Sequence, residues 1–163
     1  MFDIDRLLRE NIRNLIPYSS ARDEYTGEDA VFLDANENPF DTGANRYPDP
    51  LQLKLKLKIA QLKHLHYEHI FIGNGSDEAI DLLIRAFCEP ASDNIVAIKP
   101  TYGMYKVAAD TNNILYREVL LTPELQIDKV KLLDAVGENT KLIFLCSPNN
   151  PTSNSFYPED MVS

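Results

Sequence analysis

The stretch Ile70–Phe87, IFIGNGSDEAIDLLIRAF, decides how the rest of the chain is read. Its first three residues form an apolar run that predicts a short strand, and Gly73, Asn74 and Gly75 follow as a turn. Ser76 then reads as the N-cap of a helix, because Ile80, Leu83, Ile84 and Phe87 recur behind it at helical spacing. Asp77 and Glu78 put negative charge at the positive end of that helix's dipole. A two-glycine turn feeding a helix start also presents free backbone N–H groups to an anion, phosphate being the usual one. Taken alone, the same residues describe an ordinary strand-to-helix connection with a good cap.

With 163 residues, 44% hydrophobic and 25% charged, the chain has the size of one domain and the apolar content for a core. A net charge of -9 leaves no basic patch to neutralise phosphates, which argues against nucleic acid or an anionic membrane as partner. No apolar run has transmembrane length, and MFDIDRLLRENIRNL lacks the apolar centre of a signal peptide, so the expected compartment is the cytoplasm. Cys88 and Cys146 have no CxxC spacing and are expected as buried free thiols. His64, His66 and His69 do not share one helical face and no acidic or cysteine cluster joins them, so no metal site is expected.

Along the chain, Ile4, Leu7, Leu8, Ile12, Leu15 and Ile16 predict an amphipathic helix ending at Pro17. A polar loop over 19–29, a short strand over Val31–Leu33, the turn-forming DANENPF and the extended NRYPDP complete residues 1–50, which read as an arm. LQLKLKLKI alternates with period two, yet Leu55, Ile59, Leu62 and Leu65 fit a helix. Its Leu, Lys and Gln residues and the preceding Pro50 favour the helix. Strands over Ile95–Ile98, Ile114–Val119 and Leu142–Cys146 then alternate with helices over Tyr102–Ala109 and Asp128–Val136. That alternation predicts an α/β architecture with a mainly parallel sheet covered on both faces. Ligands of such sheets sit beyond the carboxyl ends of the strands, here near Gly73–Glu78, Lys99–Tyr102 and Ser147–Ser153. From the residues alone, Tyr102 equally caps a sheet edge and Asn-Asn-Pro is equally a turn.

The segments RENIRNLIPYSSAR, LDANENPF, NRYPDP, GNGSDEAIDLLIRAF, KPTYGMY and CSPNNPTSNS resemble, in order and approximate spacing, the N-terminal motifs of histidinol-phosphate aminotransferase. That family is fold-type I and depends on pyridoxal 5'-phosphate. The resemblance implies an arm with substrate-covering loops over 1–50 and an incomplete cofactor-binding large domain over 51–163. It implies that backbone at Ser76 and Asp77 holds the cofactor phosphate, that Tyr102 stacks on the pyridine ring, and that Asn150 donates to its phenolic oxygen. Tyr47 would reach the cofactor phosphate of the other subunit of a homodimer, and Tyr18, Asn36 and Tyr47 would lie beside the substrate. The implied reaction belongs to histidine biosynthesis: L-histidinol phosphate and 2-oxoglutarate give imidazole-acetol phosphate and L-glutamate.

The family's Schiff-base lysine and the aspartate facing the pyridine nitrogen belong to later motifs with no match in these residues, so no catalytic residue is assigned. A polypeptide of these residues alone is expected to be inactive. Aminotransferases of aromatic amino acids and threonine-phosphate decarboxylases share the motifs, and a non-catalytic truncated fragment is the alternative outside enzymes. One departure stands out. The family usually has Gly after PNNPT where this chain has Ser153, and a positive φ there would strain a serine.

Overall fold

A computed structural model describes residues 3–20, 24–25, 27, 31, 33 and 35–161. Its helices include α1 (Glu10–Arg13), α2 (Leu53–Lys63), α3 (Gly75–Phe87), α4 (Met104–Thr111), α5 (Lys129–Asp134) and α6 (Pro158–Met161). The strands are β1 (Asn94–Lys99), β2 (Leu115–Leu120) and β3 (Thr140–Phe144). Contacts fall into two compact units, Met1–Leu15 with Asn74–Ser163, and Ile16–Gly73. Residues 51–73 fall in the second of these units.

In the first unit the sheet order is β2-β1-β3 and both pairings are parallel, with Ile95 opposite Tyr116 on one side and Leu142 on the other. A central parallel strand is covered on both faces, so it reads as an unbroken apolar run. Ile95, Val96, Ala97 and Ile98 are at most 1% exposed. Ile95 and Ala97 join Ile80 and Ile84 of α3 and Ala108 and Ala109 of α4 in one cluster. Val96 and Ile98 join Val119, Ile127, Leu132 of α5 and Phe156 in another. The expected mainly parallel α/β layering is present, and the strand and helix limits differ from expectation by a residue or two at most ends.

Several local expectations are corrected. The N-cap of α3 is Asn74 rather than Ser76, which lies inside the first turn. Glu78 closes that turn by accepting hydrogen bonds from the Asn74 backbone N–H and its side-chain amide. Gly75 sits at φ +76, a conformation that an L side chain rarely adopts. Ile70–Ile72 forms no strand. Ile70 is extended, but among the described residues no neighbouring strand pairs with it, and an apolar triplet becomes a strand only with a partner.

The N-terminal helix is broken into a 3-10 turn, Ile4–Arg6, and the short α1. The reason is tertiary. The Arg9 N–H donates to the Ala86 carbonyl at 3.0 Å, while its guanidinium donates to the Arg85 carbonyl at 3.1 Å and to Glu89 at 2.9 Å. These bonds serve the last carbonyls of α3 and hold Arg9 at φ -57, ψ 143, outside helical geometry.

In the second unit, the ambiguous LQLKLKLKI is helical from Leu53 onward. Asp49 accepts from the Leu51 and Leu53 N–H groups at 2.9 and 2.7 Å, supplying the cap. The expected apolar face is not buried: Leu55, Leu62 and Leu65 are 51%, 67% and 54% exposed, and Ala60 alone of the α2 residues is buried. Val31 and Leu33 form no strand and are exposed, and Phe32 between them lies outside the described residues. Among the described residues no helix is long and apolar enough to cross a membrane.

Candidate active site

Because β1 and β3 run parallel, the loops that leave them, from Pro100 and from Leu145, emerge on one edge of the sheet. Contacts tie these loops to each other and to the start of α3. The Tyr102 hydroxyl donates to Asp77 Oδ1 at 2.9 Å. The Tyr102 ring meets Tyr105 edge-on at 5.8 Å, and Tyr105 stacks on Phe144 of β3 at 4.7 Å. The hydrogen bond to Asp77 raises the Tyr102 pKa above the ordinary phenol value, with burial and the carboxylate charge adding to it. Burial pushes Tyr105 up to about 12.

The second link is Asn149, which is 2% exposed. Its Oδ1 accepts from the Thr101 hydroxyl at 3.0 Å, and its Nδ2 donates to the Pro100 carbonyl at 3.0 Å and to Thr152 Oγ1 at 2.7 Å. Both amide hydrogens and the carbonyl oxygen are therefore used, as a buried amide requires. Its backbone closes the turn around it: Asn149 N–H donates to the Asn154 carbonyl and Ser153 N–H donates to the Asn149 carbonyl, both at 2.7 Å. Ser153 has φ +62, so the serine does occupy the left-handed conformation that the sequence made a concern. Asn150, the amide to which the resemblance gives a role, is exposed.

The family model for aminotransferase class I and II matches residues 24–163. The chain belongs to that family. It is 62% identical over 155 residues to histidinol-phosphate aminotransferase of Bacteroides thetaiotaomicron, covering 94% of this chain and 45% of the relative. It is 57% identical over 163 residues to the enzyme of the same name from Bacteroides fragilis, covering 99% of this chain and 47% of the relative. The chain thus spans slightly less than half the length of these curated relatives. A crystal structure of histidinol-phosphate aminotransferase from Sinorhizobium meliloti in complex with pyridoxal-5'-phosphate matches with a TM-score of 0.59 and 27% identity, over 65% of this chain and 29% of that one.

The residues of this aminotransferase chain fit a phosphorylated pyridine. The first-turn amides of α3 have no intrahelical acceptors, and nothing lies within 4 Å of where a Cβ on Gly75 would sit, so the helix start is open. Ser76 is exposed and Asp77 half-buried there. Tyr102 is a half-buried aromatic ring beside them, and Asn150 is an exposed amide on the loop that Asn149 fastens to the Tyr102 loop. Phosphate donors, an aromatic face and a non-titrating donor are the three kinds of group such a ligand needs.

Tyr18, Asn36 and Tyr47 lie in the second unit, and all three are exposed. The structure brings the motifs of two of them together through Glu37, a residue that sequence reasoning passed over. Glu37 accepts from the Tyr47 N–H at 2.8 Å and from Arg46 at 2.6 Å, so DANENPF and NRYP are held against each other. Asn149 was missed for a different reason: it is the twin of its neighbour Asn150 in composition, and only the side chain's burial separates them.

Proposed function

We propose that the full-length protein carrying this chain is a cytoplasmic, homodimeric histidinol-phosphate aminotransferase using pyridoxal 5'-phosphate. It would convert L-histidinol phosphate and 2-oxoglutarate to imidazole-acetol phosphate and L-glutamate. The observation that carries the reading is the Tyr102–Asp77 bond, which puts an aromatic ring beside an open helix start at the carboxyl edge of a parallel sheet. The identity to relatives of that name supports the substrate.

When bound, the cofactor supplies an electron sink for the substrate's α-carbon. This chain's part is to hold it. The Ser76 and Asp77 backbone amides take the phosphate, and the Asp77 side chain is engaged with Tyr102 instead. Tyr102 covers one face of the ring. Asn150 donates to the phenolic oxygen, a task for an amide because it does not titrate. Tyr47 reaches the phosphate across the subunit boundary, and Tyr18 and Asn36 face the substrate. The acidic net charge of -9 does not oppose an anionic substrate, since selectivity for phosphate is set locally.

The test is glutamate formation by the full-length protein. Turnover with L-histidinol phosphate should exceed that with phenylalanine or tyrosine, and the opposite preference refutes the assignment. A polypeptide of these 163 residues should show none. Mixing Tyr47→Phe subunits with subunits lacking the Schiff-base lysine should restore activity through one intact site per heterodimer. Absence of recovery despite subunit exchange removes the role of Tyr47 in trans.

A further inference from the structure

We infer that Asn149 is a positioning residue that sets the loop after β1 and the loop after β3 in fixed register, so that Tyr102 and Asn150 address one ligand ring together. The ligand part of this inference rests on the cofactor reading above; the coupling of the loops does not. Among the described residues Asn149 is the one side chain bonded to both loops: its oxygen and one amide hydrogen engage Thr101 and Pro100, directly before Tyr102, and its other hydrogen engages Thr152, just past Asn150. At 2% exposure it has no water to fall back on, so either loop can shift only by leaving a buried polar atom unpaired. Asn149 is turned into the protein, and the exposed amide next to it is the one left for a ligand. Two asparagines in sequence thus divide the work, one fastening the site and one facing it.

The experiment has a ligand-free arm and a ligand arm, both on the full-length protein that carries this chain. In the first, two-dimensional NMR follows the backbone amides of Tyr102 and Asn150 in Asn149→Ala, Thr101→Val and Thr101→Ser. Asn149→Ala and Thr101→Val should move both amides, and Thr101→Ser, which keeps the hydroxyl donor, should restore the parent positions. Shifts confined to 147–154, with Tyr102 unmoved, overturn the inference. Thr101→Val leaves the Asn149 side chain in place and so decides the question if Asn149→Ala does not fold.

In the second arm, titration calorimetry compares pyridoxamine 5'-phosphate with inorganic phosphate. Asn149→Ala should weaken the former by about ten-fold or more, the effect of losing roughly one buried hydrogen bond's worth of orientation, and leave inorganic phosphate unchanged. Equal weakening of both, or of neither, overturns the positioning role. A parent chain that binds inorganic phosphate but not pyridoxamine phosphate counts against the cofactor reading instead, and the NMR arm then decides whether Asn149 couples the loops.

Discussion

Ser153 is held at φ +62 by its N–H bond to the Asn149 carbonyl, and this gives a direct way to test the loop geometry. A non-glycine residue in the left-handed region carries roughly 1–2 kcal/mol of strain. Replacing it with glycine removes that strain but adds about 0.5–1 kcal/mol of backbone entropy to the unfolded chain. Ser153→Gly should therefore stabilise the first unit by about 0.5–1 kcal/mol net. With a urea m-value of about 1–3 kcal/mol/M, the unfolding midpoint should rise by roughly 0.2–1 M at constant m. Ser153→Asn, which tolerates the left-handed region, should fall between glycine and serine, and the β-branched Ser153→Val should lie below serine. Urea titrations followed by circular dichroism check the order Gly, Asn, Ser, Val. A glycine variant no more stable than the parent, or a valine variant as stable, would show that the turn does not demand positive φ at this position.

Tyr102 should ionise above the ordinary phenol pKa of 10.0 in a tyrosinate difference spectrum. Asp77→Ala should bring that titration down and Asp77→Asn, which keeps an acceptor without the charge, should lie between. Cys88 is 1% exposed and burial pushes its thiol from 9.0 up to about 11, so it should resist iodoacetamide near neutral pH while the chain is folded. Because the folded pKa is the higher one, its contribution to stability is complete below pH 9 and is lost as pH rises through about 11; Cys88→Ala should flatten that part of the midpoint profile. Asp49→Ala should cost the start of α2 about 1 kcal/mol, read as faster amide exchange at Leu51 and Leu53.

What could be read from the sequence was whatever rests on local pattern. The run NIVAIK announces a strand buried on both faces, and Ile80 and Ile84 announce the helix that lies on it, because each burial pattern is written in adjacent residues. The expectations that failed depended on distant partners. Arg9 leaves helical geometry to serve carbonyls of residues 85 and 86, and nothing near Arg9 in sequence signals that. Ser76, Asp77 and Glu78 are all plausible capping residues, and only the reach of Glu78 back to Asn74 shows which one closes the turn. Ile70–Ile72 has the composition of a strand without a described partner. At the site, the glycine turn and Tyr102 were candidates that local pattern and motif could name, whereas the fastening by Asn149 required knowing which of two asparagines turns inward.

The division of the core by β1 has a consequence for how this family can diverge. Ile95 and Val96 are chain neighbours, yet one belongs with Ile84 and Ala108 and the other with Leu132 and Phe156. A change of volume at Ile95 is felt across α3 and α4, and the backbone of the sheet hides it from the opposite side. Substitutions in the two clusters share no packing partner, so their effects should combine additively, while those within a cluster should compensate or conflict. Among homologous chains, Ile95 should covary with positions such as Ile84 and Ala108, ten or more residues away, and stay statistically indifferent to the residue beside it.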